Sequence, residues 1–367
     1  MIKSLRLKNF KTFEKLDLPD VSNITLIGGR NNVGKSSLLE GIFLFYDIGN
    51  PGMFFRNLTW RGIELSTFDA NTALAPIFHG FNLDRPISIA VSDDIYHVEL
   101  KVVFDPTGTQ KSININLSEP GAAMQQVKTD FAPRISYALN ISYRIEAGKE
   151  LKTRLIINQS PINVNMQFEP NLTEGFPANM RKAAIYLGLR VFTDPGEDAV
   201  RFSKLDIEKS SDRIIDFVKI LEPNLVGVSV VPGIQRSFLY ADIGLDRKIP
   251  ISLAGEGVGR LLSIILAIAT AKDGIVLIDE IESGIHHSVM PKVWEGICFA
   301  AREFNCQIIA TTHSYEAVQT AYDGVLKADL ARGFSYIRLD QKENDIIAKT
   351  YSHKVLGAAL ANGWEVR

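Results

Sequence analysis

The stretch ITLIGGRNNVGKSSLLEGI, Ile24 to Ile42, consists of an apolar strand, a glycine-rich loop and the opening of a helix. The loop fits GxxxxGK[ST], with Gly29, Arg30, Asn31, Asn32, Val33, Gly34, Lys35 and Ser36 in order. A buried strand entering such a turn aims successive backbone N–H groups, and the positive end of a helix, at one point. That arrangement cradles phosphate. The pattern fixes Gly29, Gly34, Lys35 and Ser36, and Asn31, Asn32 and Ser37, on the same loop and helix start, complete the nucleotide-binding set expected here. Lys35 is placed for the β- and γ-phosphates, and the Ser36 hydroxyl for a Mg²⁺ shell.

Three further segments bear on the same chemistry. Gly274 to Glu280, GIVLIDE, is an apolar strand whose tip presents two carboxylates. A solvated strand end reads the same way in isolation. Behind a phosphate loop, Asp279 reads as the Mg²⁺ ligand and Glu280 as the base that polarises the attacking water. Ile308 to Ser314, IIATTHS, is another apolar strand with a polar tip. It follows the acidic strand by a single helix, so His313 is expected on the same sheet edge, within reach of a γ-phosphate. Pro250 to Arg260, PISLAGEGVGR, leads directly into a helix and offers a second anion site through Ser252, Gly255, Glu256 and Gly257. An ordinary glycine-rich helix start would look alike.

The rest of the chain frames these segments. Lys plus Arg (40) nearly balances Asp plus Glu (42), so no global field draws the protein to nucleic acid or membrane. Its two cysteines, Cys298 and Cys306, lack metal or redox spacing and read as core residues of a reduced, cytoplasmic protein. No stretch is apolar enough to span a bilayer. Strands alternating with helices imply a mainly parallel sheet. Four parts are expected. Residues 1–85 form the first half of an ATPase head, and 86–175 an antiparallel β-rich insertion. Residues 176–224 form a helical arm, with one helix over Leu205–Leu221, and 225–367 complete the head. Within the insertion Ile135, Tyr137, Leu139, Ile141, Tyr143 and Ile145 alternate with mostly polar residues, the period of a half-buried strand. Ser112 to Leu117 alternates in the same way, and Glu146 to Lys149 reads as a turn.

The order GGRNNVGKS, SLAGEGVGR, IVLIDEIESGIHH, IIATTHS resembles the ABC-type ATPase heads of the SMC, RecF and OLD group. It most resembles the OLD-like AAA ATPases of prokaryotic defence and repair loci. The resemblance implies an α/β P-loop head that binds ATP and Mg²⁺ and forms an ATP-sandwich dimer or higher homo-oligomer. Ser252 and Gly255 would then contact the γ-phosphate held by the opposite subunit, and His286 would lie near that interface or serve packing. Two features depart from the wider ABC pattern. The first glutamine after Ser37 is Gln110, so the usual metal-binding glutamine is not identifiable, and the signature is not LSGGQ.

OLD-like proteins often carry a Toprim nuclease after the ATPase. The residues after His313 contain no convincing Glu plus Asp-x-Asp cluster, so such a nuclease is expected on a separate chain. This reading makes the protein the ATP-driven controller of an effector in a defence system. The alternative is a RecF- or SMC-like clamp that closes on DNA with ATP. The balanced charge and the lack of a sustained heptad run count against it. Phe10 or Phe13 would stack on the adenine, or else belong to the core.

Overall fold

The computed structural model describes residues 1–47, 50–55, 70–106, 135–145, 149–160, 163–169, 182–188, 195–255, 257–343 and 345–366. Gln110, the Ser112–Leu117 alternation, most of the Glu146–Lys149 turn and Glu256 lie outside them.

In chain order the strands are β1 (Ser4–Phe10), β2 (Phe13–Leu18), β3 (Ile24–Gly29), β4 (Ile87–Ser92), β5 (His97–Asp105), β6 (Ile135–Ile145), β7 (Lys149–Ser160) and β8 (Asn163–Glu169). There follow β9 (Ala184–Leu187), β10 (Gly227–Pro232), β11 (Ser237–Asp242), β12 (Ile249–Pro250), β13 (Ile275–Ile278), β14 (Gln307–Thr311), β15 (Phe334–Lys342) and β16 (Asp345–Ser352). The main helices are α1 (Lys35–Tyr46), α2 (Pro195–Ile207), α3 (Ser211–Val218), α4 (Val258–Thr270), α5 (Met290–Glu303), α6 (Tyr315–Lys327) and α7 (His353–Ala361).

A six-stranded sheet of order β16-β15-β3-β14-β13-β9 carries the motifs. All its pairings are parallel except β15 with β16. Both of its faces are covered, so β3, β13 and β14 are buried at every position and mostly apolar rather than alternating. Val276, Ile278, Ile308 and Ala310 face one core with α4, α5 and α6. Ile275, Leu277 and Ile309 face another with α1.

A seven-stranded antiparallel sheet, β2-β1-β4-β5-β6-β7-β8, closes that second core. The β-rich segment therefore continues the sheet opened by β1 and β2. The reason is register: Leu5 and Leu7 pair with Val91 and Ile89 on a shared apolar face. Packed among the strands of this core, α1 is buried on nearly every side, including Glu40, whose carboxylate is met by Lys11. The sheets are also stapled together. Gln307 at the start of β14 accepts the Ile2 N–H (2.8 Å) and donates to the carbonyls of Ile2 (2.9 Å) and Ser22 (3.0 Å).

Within 176–224 the structure adds a strand to the expected helices: β9 pairs in parallel with β13 at the sheet edge. The single helix expected over Leu205–Leu221 is two. Lys209 takes a left-handed conformation (φ 57°), and the Ser210 N–H returns to the Leu205 carbonyl at 2.8 Å, which stops α2. A third sheet, β10-β11-β12, packs beside α2. No helix among the described residues is long and apolar enough to cross a membrane.

Candidate functional site

The tips of β3, β13 and β14 adjoin because these strands pair in parallel and in register, Leu277 with Ile309 and Ile309 with Thr25. At the tip of β3 the loop turns into α1 through Gly34, at φ 89°. A Cβ there would sit 2.4 Å from Thr12 Oγ1 and 2.8 Å from Phe13 Cζ, so the position admits only glycine. The helix start has no side-chain cap and no acid in its first turn, which leaves its positive end for an anion. Asn31 and Asn32 are exposed on the loop, and Ser36 and Ser37 are half-buried on the first turn of α1. Lys35 is buried, and its ammonium donates to the carbonyls of Gly29 and Arg30, both at 2.9 Å. Burial lowers its pKa from the ordinary lysine range, opposed by the carboxylates of Glu280, Asp279 and Glu282.

Those carboxylates are held from the neighbouring strands. Asp279 is buried, and both its oxygens are engaged. Thr311 Oγ1 donates to Oδ1 at 2.6 Å, and Tyr186 from β9 donates to Oδ2 at 3.2 Å. Thr311 Oγ1 also accepts the Glu280 N–H at 2.9 Å. Glu280 itself is left-handed (φ 46°), a conformation rare for a non-glycine residue and sustained here by that bond. His313 Nδ1 lies 3.9 Å from Glu280 Oε1 and 3.2 Å from Glu282 Oε1. The structure thus brings Lys35, Asp279, Glu280 and His313 to one edge.

The glycine-rich segment before α4 stands apart. Ser252, Gly255 and Gly257 line a cleft of about 670 Å³ with Arg260 and Ser263. Gly257 is left-handed (φ 82°) at the uncapped start of α4, and Ser252 and Gly255 are exposed. Arg260 reaches from this helix to the Glu280 carbonyl at 3.4 Å. Burial pushes its pKa down to about 8, against the pull of Glu282, Asp198 and Asp279.

Three residues in this cluster carry no role in the sequence reading: Thr311, Glu282 and Tyr186. The first two stand inside quoted motifs. Tyr186 lies on a four-residue strand with no motif of its own. Phe10 and Phe13 are fully buried in the core and do not offer a face to adenine. His286 and His287 are exposed, with ring centroids 4.2 Å apart, and are not core packing. Cys298 and Cys306 are buried free thiols, each pushed up to about 12 by burial.

The fold and this cluster define a P-loop ATPase head. Comparison with known sequences agrees. Residues 1–174 match the family described as "AAA ATPase domain", and 166–319 match "AAA domain, putative AbiEii toxin, Type IV TA system". An ATP/GTP phosphatase of Helicobacter pylori is 24% identical over 96% of this chain and 95% of its own. An OLD nuclease of Thermus scotoductus is 24% identical over 94% of this chain but only 63% of its own length. Among solved structures, an SMC head bound to the C-winged helix domain of ScpA aligns over 96% of this chain and 97% of that chain, at 14% identity and a TM-score of 0.47. Two AAA family models thus match the chain in turn over residues 1–319, and along most of its length it is similar to the ATP/GTP phosphatase and to the OLD nuclease.

Proposed function

We propose that the protein hydrolyses ATP in a Mg²⁺-dependent reaction, at a site that a second subunit completes, and that this cycle controls a separate effector. The observation that carries the reading is the convergence of Lys35, Asp279, Glu280 and His313 on one sheet edge beside the uncapped start of α1.

Gly29, Asn31, Asn32, Gly34, Lys35, Ser36 and Ser37 receive the phosphates. Ser36 and Asp279 would hold Mg²⁺. A hydroxyl and a buried carboxylate are hard oxygen donors, and each Asp279 oxygen, though hydrogen-bonded, keeps a lone pair. The ion would supply charge neutralisation on the phosphates. Glu280 takes the proton of the attacking water as its oxygen bonds to the γ-phosphorus. The bond to the bridging oxygen breaks, and the electron pair leaves with ADP. Lys35 and His313 stabilise the charge on the γ-phosphoryl oxygens. Ser252, Gly255, Glu256 and Gly257 serve the nucleotide of the opposite subunit in an ATP-sandwich dimer. The exposure of Ser252 and Gly255 at an uncapped helix start supports this.

The effector reading, a Toprim-type nuclease in a prokaryotic defence system, is supported by two likenesses. One is the OLD nuclease, of which this chain spans 63%. The other is the toxin–antitoxin wording of one matched family. Glu280→Gln is expected to keep ATP binding and the ATP-dependent dimer while losing about 10²–10⁴-fold in turnover, and Lys35→Ala to lose nucleotide binding. Full turnover by Glu280→Gln would remove Glu280 as the base. Copurification from the native operon that yields no partner would remove the effector.

A further inference from the structure

Glu282 has no part in the hydrolysis just described, yet the switch segment is built around one of its oxygens. Oε1 accepts the Thr312 hydroxyl at 2.8 Å and the His313 backbone N–H at 2.9 Å, and lies 3.2 Å from His313 Nδ1. Thr312 is fully buried, and its own N–H donates to the Ile27 carbonyl at 2.9 Å, so the segment is also fastened to the phosphate-loop strand. The other carboxylate oxygen, Oε2, is buried and has no hydrogen-bond partner among the described residues. A carboxylate that gathers three contacts on one oxygen while the other stays buried and unpaired is expensive to fold. Its neighbours explain the placement. Glu282 lies two residues past Glu280, and Arg260 stands by the Glu280 carbonyl.

We propose that Glu282 is the positioning residue for His313. From 3.2 Å its carboxylate charge favours the proton on Nδ1 and leaves Nε2 as the ring nitrogen available to the nucleotide. The residue does not touch the reacting atoms. It fixes which tautomer the imidazole adopts and where the ring stands, as a carboxylate does for a catalytic or metal-bound histidine. Glu280, 3.9 Å from the same Nδ1, is then relieved of pairing with the histidine and keeps its carboxylate for water. This inference rests on the proposed role of His313.

The test is a double-mutant cycle on the full chain, with steady-state ATP hydrolysis, ATP binding by calorimetry and thermal unfolding measured for each variant. Glu282→Ala and His313→Ala are each expected to lower kcat by 10-fold or more, with KM for ATP within about threefold. The double variant is expected to be no slower than the worse single one. Glu282→Gln, whose amide oxygen still accepts the two fixed donors, should be intermediate. If the Ala variant unfolds, the Gln variant carries the cycle. Additive losses, or a Glu282 loss that appears in KM or melting temperature and not in kcat, would overturn the proposal. Full turnover by His313→Ala with normal binding is a separate result. It would overturn the role of His313 itself, and this inference with it.

Discussion

The hydroxyl of Thr311 joins the two acids of the β13 tip, donating to Asp279 at 2.6 Å while accepting the Glu280 N–H at 2.9 Å. One oxygen atom thereby fixes both the carboxylate proposed for the metal and the backbone twist of the proposed base. Thr311→Val keeps the shape and removes both bonds. A 10- to 100-fold fall in kcat is expected with ATP binding retained, together with about 1–3 kcal/mol of lost stability. Thr311→Ser should restore most of the rate. Steady-state kinetics and thermal melts check both.

The Lys11–Glu40 pair lies in the core, at side-chain exposures of 11% and 4%. Lys11→Met removes the cation that meets a buried carboxylate and should cost about 3–5 kcal/mol. Adding Glu40→Met should recover most of that loss. Denaturant unfolding of both variants decides the point. A double variant as weak as the single would mean that packing, not charge, dominates there.

Gln307 mimics a strand with its side chain, pairing with Ile2 in both directions. Gln307→Leu takes the side-chain partner from the Ile2 N–H and the Ile2 carbonyl, each worth about 1–3 kcal/mol, while the Ser22 carbonyl keeps the Thr25 hydroxyl at 3.1 Å. Urea unfolding should show a fall of that order. ATP turnover per folded molecule should be unchanged.

Burial raises the pKa of Asp198 from the ordinary carboxylate range, opposed by the Ser263 hydroxyl and by Arg201. The folded state therefore binds this proton more tightly than the unfolded chain does. The group's favourable contribution is complete below the ordinary carboxylate range and is lost as pH rises through the raised value. Asp198→Asn should therefore raise the melting temperature more at about pH 7 than at about pH 4. A difference independent of pH would assign the effect to shape.

The parts of the fold legible in sequence are those where one local pattern decides the structure. Ile275–Ile278 is apolar throughout and ends in two acids, and it forms a strand over those four residues. Lys35–Tyr46 follows a glycine turn and is one helix, as the loop pattern before it implies. The illegible parts depend on residues distant in sequence. AIYL at 184–187 is too short to show a period, yet it places Tyr186 on Asp279 across 93 positions. The split between α2 and α3 depends on a left-handed Lys209, which no glycine announces. Leu5 and Val91 are both apolar, but only their pairing shows that β1 and β4 share a sheet.

The parallel neighbours of β3 are β14 and β15, which join it from positions 307–311 and 334–342. During synthesis the chain can begin its antiparallel meander early, since β4 to β8 pair with one another in sequence order. The phosphate loop cannot be set until residues 307–342 have emerged, because the strand that carries it has no parallel neighbour before then. A nascent fragment that ends before residue 307 therefore leaves the phosphate-loop strand without a parallel neighbour, and ATP meets a set loop only once those strands have joined it.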